Sequence, residues 1–113
     1  MRDIALALPG MEEGTSYGTP SFRVRKKFIA RMKEDGETLV VKVDPEAREV
    51  LTRAEPETFF FTDHYAGYPE YLLVRLANVK RDVLARLLEE GWRSAASSQQ
   101  LGARAGKTPS ARK

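Results

Sequence analysis

The sequence has no cysteine in its 113 residues, so disulfides, thiolate metal sites and cysteine nucleophiles are excluded. It has one histidine, which rules out a multi-histidine centre, and catalytic zinc usually takes three protein ligands. No apolar run approaches the ~20 residues that a bilayer span needs. The opening MRDIALALPG only superficially resembles a secretory leader, because its apolar stretch is short and an acid stands at position 3. Gly10, Gly14 and Gly18 recur every four residues but precede no Lys-Ser or Lys-Thr pair, so they do not make a phosphate-binding P-loop. There is no internal repeat. The expectation is a cytoplasmic bacterial protein with no metal, no cofactor and no membrane attachment.

The length fits one domain. Hydrophobic residues make up 42% and charged residues 31%, a balance that suits a globular chain. The net charge of +3 is unevenly spread. Residues 95–113 carry four cations (Arg104, Lys107, Arg112, Lys113) and no acid, which leaves 15 cations against 16 acids in residues 1–94. The basicity belongs to the tail. Residues 1–94 are expected to fold as a single domain and 95–113 to be a basic, flexible extension, either a solubilising end or an arm that reaches an anionic surface.

Residues 2–8 read as a short helix stopped by Pro9-Gly10, and residues 12–20 as a loop. From Phe22 to Lys33 the pattern alternates. Phe22, Val24, Phe28, Ala30 and Met32 share one parity; Arg23, Arg25, Lys27, Arg31 and Lys33 share the other, with Ile29 as the exception. Period two predicts a strand pair with one buried face. A turn near Lys26-Lys27 would make it a hairpin whose opposite face is a cationic stripe. Asp35-Gly36 signals another turn, then Thr38–Val43 a third strand. Asp44-Pro45 opens a helix with the apolar positions Ala47, Val50, Leu51 and Ala54. Phe59-Phe60-Phe61 reads as a short buried strand or turn, Tyr71–Val79 as a central strand, and Lys80–Ser94 as a helix with the core stripe Val83, Leu84, Leu87, Leu88 and Trp92. Hairpins in place of βαβ alternation predict an α+β two-layer sandwich, a mainly antiparallel sheet with helices packed on one face.

Two regions carry candidate chemistry. The segment Thr62-Asp63-His64-Tyr65-Ala66-Gly67-Tyr68-Pro69 concentrates the histidine and two of the four tyrosines in what reads as a surface loop. Its rings, with Tyr71, either stack on a bound ring or pack over the sheet edge. His64 or Asp63 could serve as a general base, but no nucleophile or oxyanion motif accompanies them, so no catalytic residue is assigned. The stripe Arg23, Arg25, Lys27, Arg31 and Lys33 either follows a phosphate backbone or forms a solvated sheet face. Glu12-Glu13 is a weak acid pair.

The combination of Leu8-Pro9-Gly10, the run from Glu13 to Val24, Val41-Lys42-Val43-Asp44-Pro45, the Thr62–Pro69 segment, Leu73-Val74-Arg75-Leu76 and the run from Leu87 to Arg93 resembles the MmcQ/YjbR family over about residues 4–94. The resemblance implies an α+β fold similar to frataxin-like CyaY proteins. It also implies the DNA-binding, double-wing-like role often ascribed to members, a label that rests on fold analogy. It supplies no catalytic residues. The first helix looks shorter than usual for the family, and a longer basic tail replaces an expected Ala-Pro-containing ending. Its most distinctive segments are the loops Gly14–Pro20 and Thr62–Pro69, which either meet in one site with Arg23 and Arg75 nearby or carry their Gly and Pro only for turn geometry.

The leading expectation is a non-enzymatic protein that contacts double-stranded DNA through the stripe. The alternative is a small-ligand or protein-partner module lined by Tyr17, Thr62, Asp63, His64, Tyr65, Tyr68 and Arg75. An enzyme using His64 and Asp63 ranks last. The oligomeric state is not readable from the sequence.

Overall fold

A computed structural model describes residues 2–16, 18–97, 99, 101 and 102. Helix α1 (Arg2–Leu6) leads into strands β1 (Glu12–Ser16), β2 (Thr19–Val24), β3 (Lys27–Met32) and β4 (Thr38–Lys42). Helix α2 (Pro45–Ala54), strand β5 (Phe59–Phe60), the short helix α3 (Asp63–Ala66), strand β6 (Tyr71–Arg75) and helix α4 (Arg81–Ala95) follow. The sheet runs β1-β2-β3-β4-β6-β5, with every pair antiparallel. The α+β two-layer architecture is as expected. The 12–20 segment, expected to be a loop, is a hairpin instead. Gly18 lies in the left-handed region at φ 79°, which lets a run of Gly, Thr and Pro fold back on itself.

The core lies between the sheet and the helices. Phe22, Val24, Leu39, Val41, Leu72 and Val74 face Leu84, Leu87, Leu88 and Trp92 of α4. Trp92 is fully buried, and its indole N–H donates to the Pro9 carbonyl at 2.8 Å, tying α4 to the chain after α1. Gly91 lets α4 approach β4. A Cβ there would stand 3.3 Å from the Lys42 carbonyl oxygen and 3.5 Å from Ile29 Cγ2.

The cationic stripe requires correction. The alternation breaks at a bulge, where the register passes from Phe22↔Ala30 to Arg23↔Phe28 and leaves Ile29 without a cross-strand partner. An inserted residue swaps the faces of everything beyond it. Ile29 is therefore fully buried in the core, and Phe28 emerges on the opposite face beside Arg23. Lys27 pairs with Val24 and turns to the helix side, near Gly91, Ser94 and Ala95. The turn falls at Arg25 and Lys26, with φ 53° and 67°, one residue earlier than expected. Arg25 Nη1 reaches the Ala95 carbonyl at 3.5 Å, at the negative end of α4. Arg23 and Arg31 keep a common face; Lys33, at the end of the hairpin, pairs by its N–H with the Thr38 carbonyl. Arg25 and Lys27 do not belong to that face.

Smaller differences follow from local chemistry. Val50 and Ala54 are exposed and are not core positions. Asp44 makes no side-chain cap on α2. β6 stops at Arg75 because the Asn78 and Val79 N–H groups turn back to the Arg75 carbonyl. Helix α4 runs through Ala95, and Leu101 packs against the core. Residues 99, 101 and 102 are helical, and the rest of the expectation of a flexible tail, over 103–113, lies outside the described residues.

Two tests follow. Gly91→Val should lower stability by about 1–3 kcal/mol in chemical denaturation, because the lost space outweighs the gain in helix propensity. Asp3 accepts a 2.6 Å hydrogen bond from Arg81, which holds its carboxyl down to about 2 from the ordinary 3.8. A depressed folded value means this link is intact above about pH 4 and is lost as pH falls toward 2. Asp3→Asn should lower stability slightly near neutrality, where the link is intact, and flatten the profile between about pH 4 and 2, where the two proteins converge.

Candidate functional site

The helices α1, α2 and α4 leave the other face of the sheet open. The residues presented there are fixed by register: Val40 opposes Leu73, Arg31 opposes Val40, and Lys42 opposes Tyr71. Val40 and Leu73 are 2% and 1% exposed although they lie on the face opposite α4. Over Val40, a set of rings and arginines surrounds an open cavity of about 620 Å³, lined by Arg23, Phe28, Arg31, Glu34, Val40, His64, Tyr65, Tyr68 and Tyr71.

The rings form a continuous string. Phe28 and Tyr71 meet edge-on at 5.7 Å, Tyr71 and Tyr65 at 6.0 Å, and Tyr65 and His64 at 4.8 Å. His64 and Tyr68 close the string at 6.3 Å with their planes 38° apart. Arg23 lies over Phe28, 5.8 Å from the ring centre. The Arg31 side chain is only 12% exposed, donates to the Met32 carbonyl at 3.3 Å and stands 3.9 Å from Glu34. Glu12 opposes Arg23 across β1 and β2, but among the described residues no carboxylate pairs with Arg23 within ion-pair distance.

The two candidate regions therefore converge in part. His64, Tyr65 and Tyr68 share the cavity with Arg23 and Arg31. Thr62 and Asp63 open α3, are exposed and do not line it. Arg75 is set apart, its guanidinium 4.1 Å from the centre of the Phe60 ring. Tyr17 lies outside the described residues. The Thr62–Pro69 segment is not all loop, since α3 occupies its first half. No described residue of the Gly14–Pro20 segment lines the cavity, so a meeting of the two segments in one site is not seen among the described residues. His64 packs on rings, and none of its described contacts is a hydrogen bond to a carboxylate. No group of His, Asp and Glu suited to a metal ion occurs among the described residues, and no described helix is long and apolar enough to cross a membrane.

Arg48 is the residue that sequence reasoning missed. It is 8% exposed on the inward side of α2. Its Nη1 donates to the carbonyls of Tyr65, Tyr68 and Tyr71 at 2.9, 3.1 and 3.2 Å, and its guanidinium stacks on Phe61 at 3.8 Å. Burying a charge is tolerable only when its hydrogen bonds are met, and three carbonyls with one ring supply this. The effect is to pin the backbone that carries His64, Tyr65 and Tyr68. The available signal was an arginine set beside Ala47 and three residues before Leu51 on the buried side of an amphipathic helix.

Comparison with known proteins agrees with this architecture. Residues 6–94 match the family model named YjbR. Among solved structures, the crystal structure of Deinococcus radiodurans protein DR2400, a DUF419 domain, superposes with a TM-score of 0.70 at 25% identity, covering 98% of this chain and 81% of that one. No curated protein matches.

Arg48→Met keeps the aliphatic stem and removes the nitrogen that donates to all three carbonyls. It should cost about 2–4 kcal/mol, through carbonyls left without their charged partner. Hydrogen exchange should rise at residues 61–71 more than in α4; uniform loss of protection would show that Arg48 supports the whole fold rather than the ring-bearing segment.

Proposed function

The chain belongs to the YjbR family, and from that premise we propose that it is a non-catalytic nucleic-acid-binding domain whose contact surface is the open face of the sheet. The observation that supports this reading is the meeting of Arg23 and Arg31 with Phe28, His64, Tyr65, Tyr68 and Tyr71 around one cavity. Guanidinium groups take phosphate through planar, charge-assisted hydrogen bonds, and aromatic rings stack on bases. The two residue types at one concave surface match the two halves of a nucleotide. The four cations of the tail would add affinity without specificity.

A catalytic reading has less support. Asp63 stands outside the cavity, and His64 is held by rings with no described partner that would orient a proton. A general base must itself stand within hydrogen-bond reach of the proton it takes, and a group outside the cavity does not reach a ligand bound there.

Fluorescence anisotropy with a labelled oligodeoxynucleotide at several salt concentrations is the test. Binding should weaken as salt rises, and Arg23→Gln should reduce the slope of log K against log[salt] by about 0.7–0.9. Replacing Arg104, Lys107, Arg112 and Lys113 with glutamine should lower affinity while the dependence on Arg23 persists. Absence of binding at ~50 mM salt ends the reading. So does binding that disappears with the tail charges and is indifferent to Arg23→Gln.

A further inference from the structure

Resting on that reading, we infer that the open face takes an unpaired nucleotide, held by its base between His64 and Tyr68 and by its phosphate at Arg23, and that duplex is the poorer ligand. The bulge removes the geometry that a duplex needs. Following a double-stranded backbone calls for a line of cations at successive phosphates. Here Arg25 reaches the end of α4 and Lys27 turns to the helix side, so Arg23 and Arg31 are the cations on the cavity, with Glu34 beside them and Glu12 opposite Arg23 across the strands; Lys33 and Arg75 share the face by register but stand outside the cavity, Arg75 stacked on Phe60. Two guanidinium groups among two acids suit one or two phosphates.

The rings point the same way. In a duplex the faces of the bases are hidden in the stack, and only their edges and the backbone are presented. Ring faces at the rim of a cavity are useful to a base already out of its stack. Three contacts in the string, Phe28–Tyr71, Tyr71–Tyr65 and Tyr65–His64, are edge-on at 77°, 67° and 89°, so those rings are already paired with one another. The fourth differs. The planes of His64 and Tyr68 are inclined by only 38° with centres 6.3 Å apart, and Tyr68 is 53% exposed. A flat base between two rings needs about 7 Å, two carbon contacts of ~3.5 Å. A small rotation of an exposed tyrosine opens that space, while Arg48 holds the backbone carbonyls of Tyr65 and Tyr68 in place. Arg23, over Phe28 at the other side of the cavity, is the phosphate contact.

The test uses the full chain with labelled single-stranded DNA, single-stranded RNA and duplex of the same sequence at ~50 mM salt. Single strands should bind at least about tenfold more tightly than duplex. Tyr68→Ala should weaken single-strand binding by about 5- to 100-fold and leave duplex binding unchanged, and Tyr68→Phe should restore it. Tyr68 is exposed, so the fold survives its loss, which circular dichroism verifies. Displacement of the labelled strand by a millimolar mononucleotide identifies a free nucleotide as sufficient; displacement by oligomers alone identifies a strand. Equal binding of duplex and single strand, or indifference to Tyr68→Ala, overturns this inference and leaves nucleic-acid binding standing. No binding of any of the three overturns both.

Discussion

One layer of helices can cover only one side of a six-stranded antiparallel sheet, yet the central strands β4 and β6 are apolar on both sides. Val40 and Leu73 point away from α4 and are still excluded from water. Their burial contributes on the order of 2 kcal/mol each, enough that something must cover them. The cover is improvised from the 61–71 segment, Phe28 and the arginine stems, and its imperfect fit is the cavity. The candidate site is thus a consequence of how the second face is sealed, and the residues that seal it are the residues that would bind.

The bulge in the β2–β3 pair is what makes this possible. Without it Phe28 would enter the helix-side core and Ile29 would stand among the cations. With it, one aromatic ring is delivered to the open face and one aliphatic chain to the core, and the run of positive charge is divided between the two sides of the sheet. Arg25 then meets the carbonyl end of α4, where a cation is favourable, and Arg23 is left above a ring and without a carboxylate partner among the described residues. A single extra residue in one strand therefore sets both the packing of the hairpin and the charge of the site.

The sequence was legible wherever burial on one side repeats regularly. Helix α4, the Pro45–Ala54 helix, strand β4 and the turn after Lys33 follow from periodicity, a Pro at a helix start and an Asp-Gly pair. It was opaque where one residue changes the period. Ile29 stood out as an exception to the alternation of Phe22–Lys33, but alternation alone does not say whether an exception is tolerated on the wrong face or turns the faces over. The β1–β2 hairpin was hidden because Glu, Gly, Thr, Ser and Pro carry little strand propensity; its pairing depends on Gly18 and on the rest of the sheet. Arg48 was hidden for a third reason. Its partners are main-chain carbonyls 17, 20 and 23 residues away, and carbonyls leave no mark in a sequence.

That last feature bears on how the site divides rigidity from adaptability. Arg48 holds Tyr65, Tyr68 and Tyr71 by their backbones and makes no demand on their rings. Tyr71 and Tyr65 are fixed anyway, by edge-on neighbours and by half-burial over Val40. Among the described residues the ring of Tyr68 has one ring contact, the oblique one to His64, and more than half its surface meets water. The backbone is therefore ordered before any ligand arrives, so binding need not supply the conformational entropy of arranging a loop. What the proposed ligand would immobilise is side chains, those of Tyr68, His64 and Arg23. On the proposed reading, a surface organised in this way would accept bases of different size at one jaw, which favours tolerance of base identity over readout of sequence.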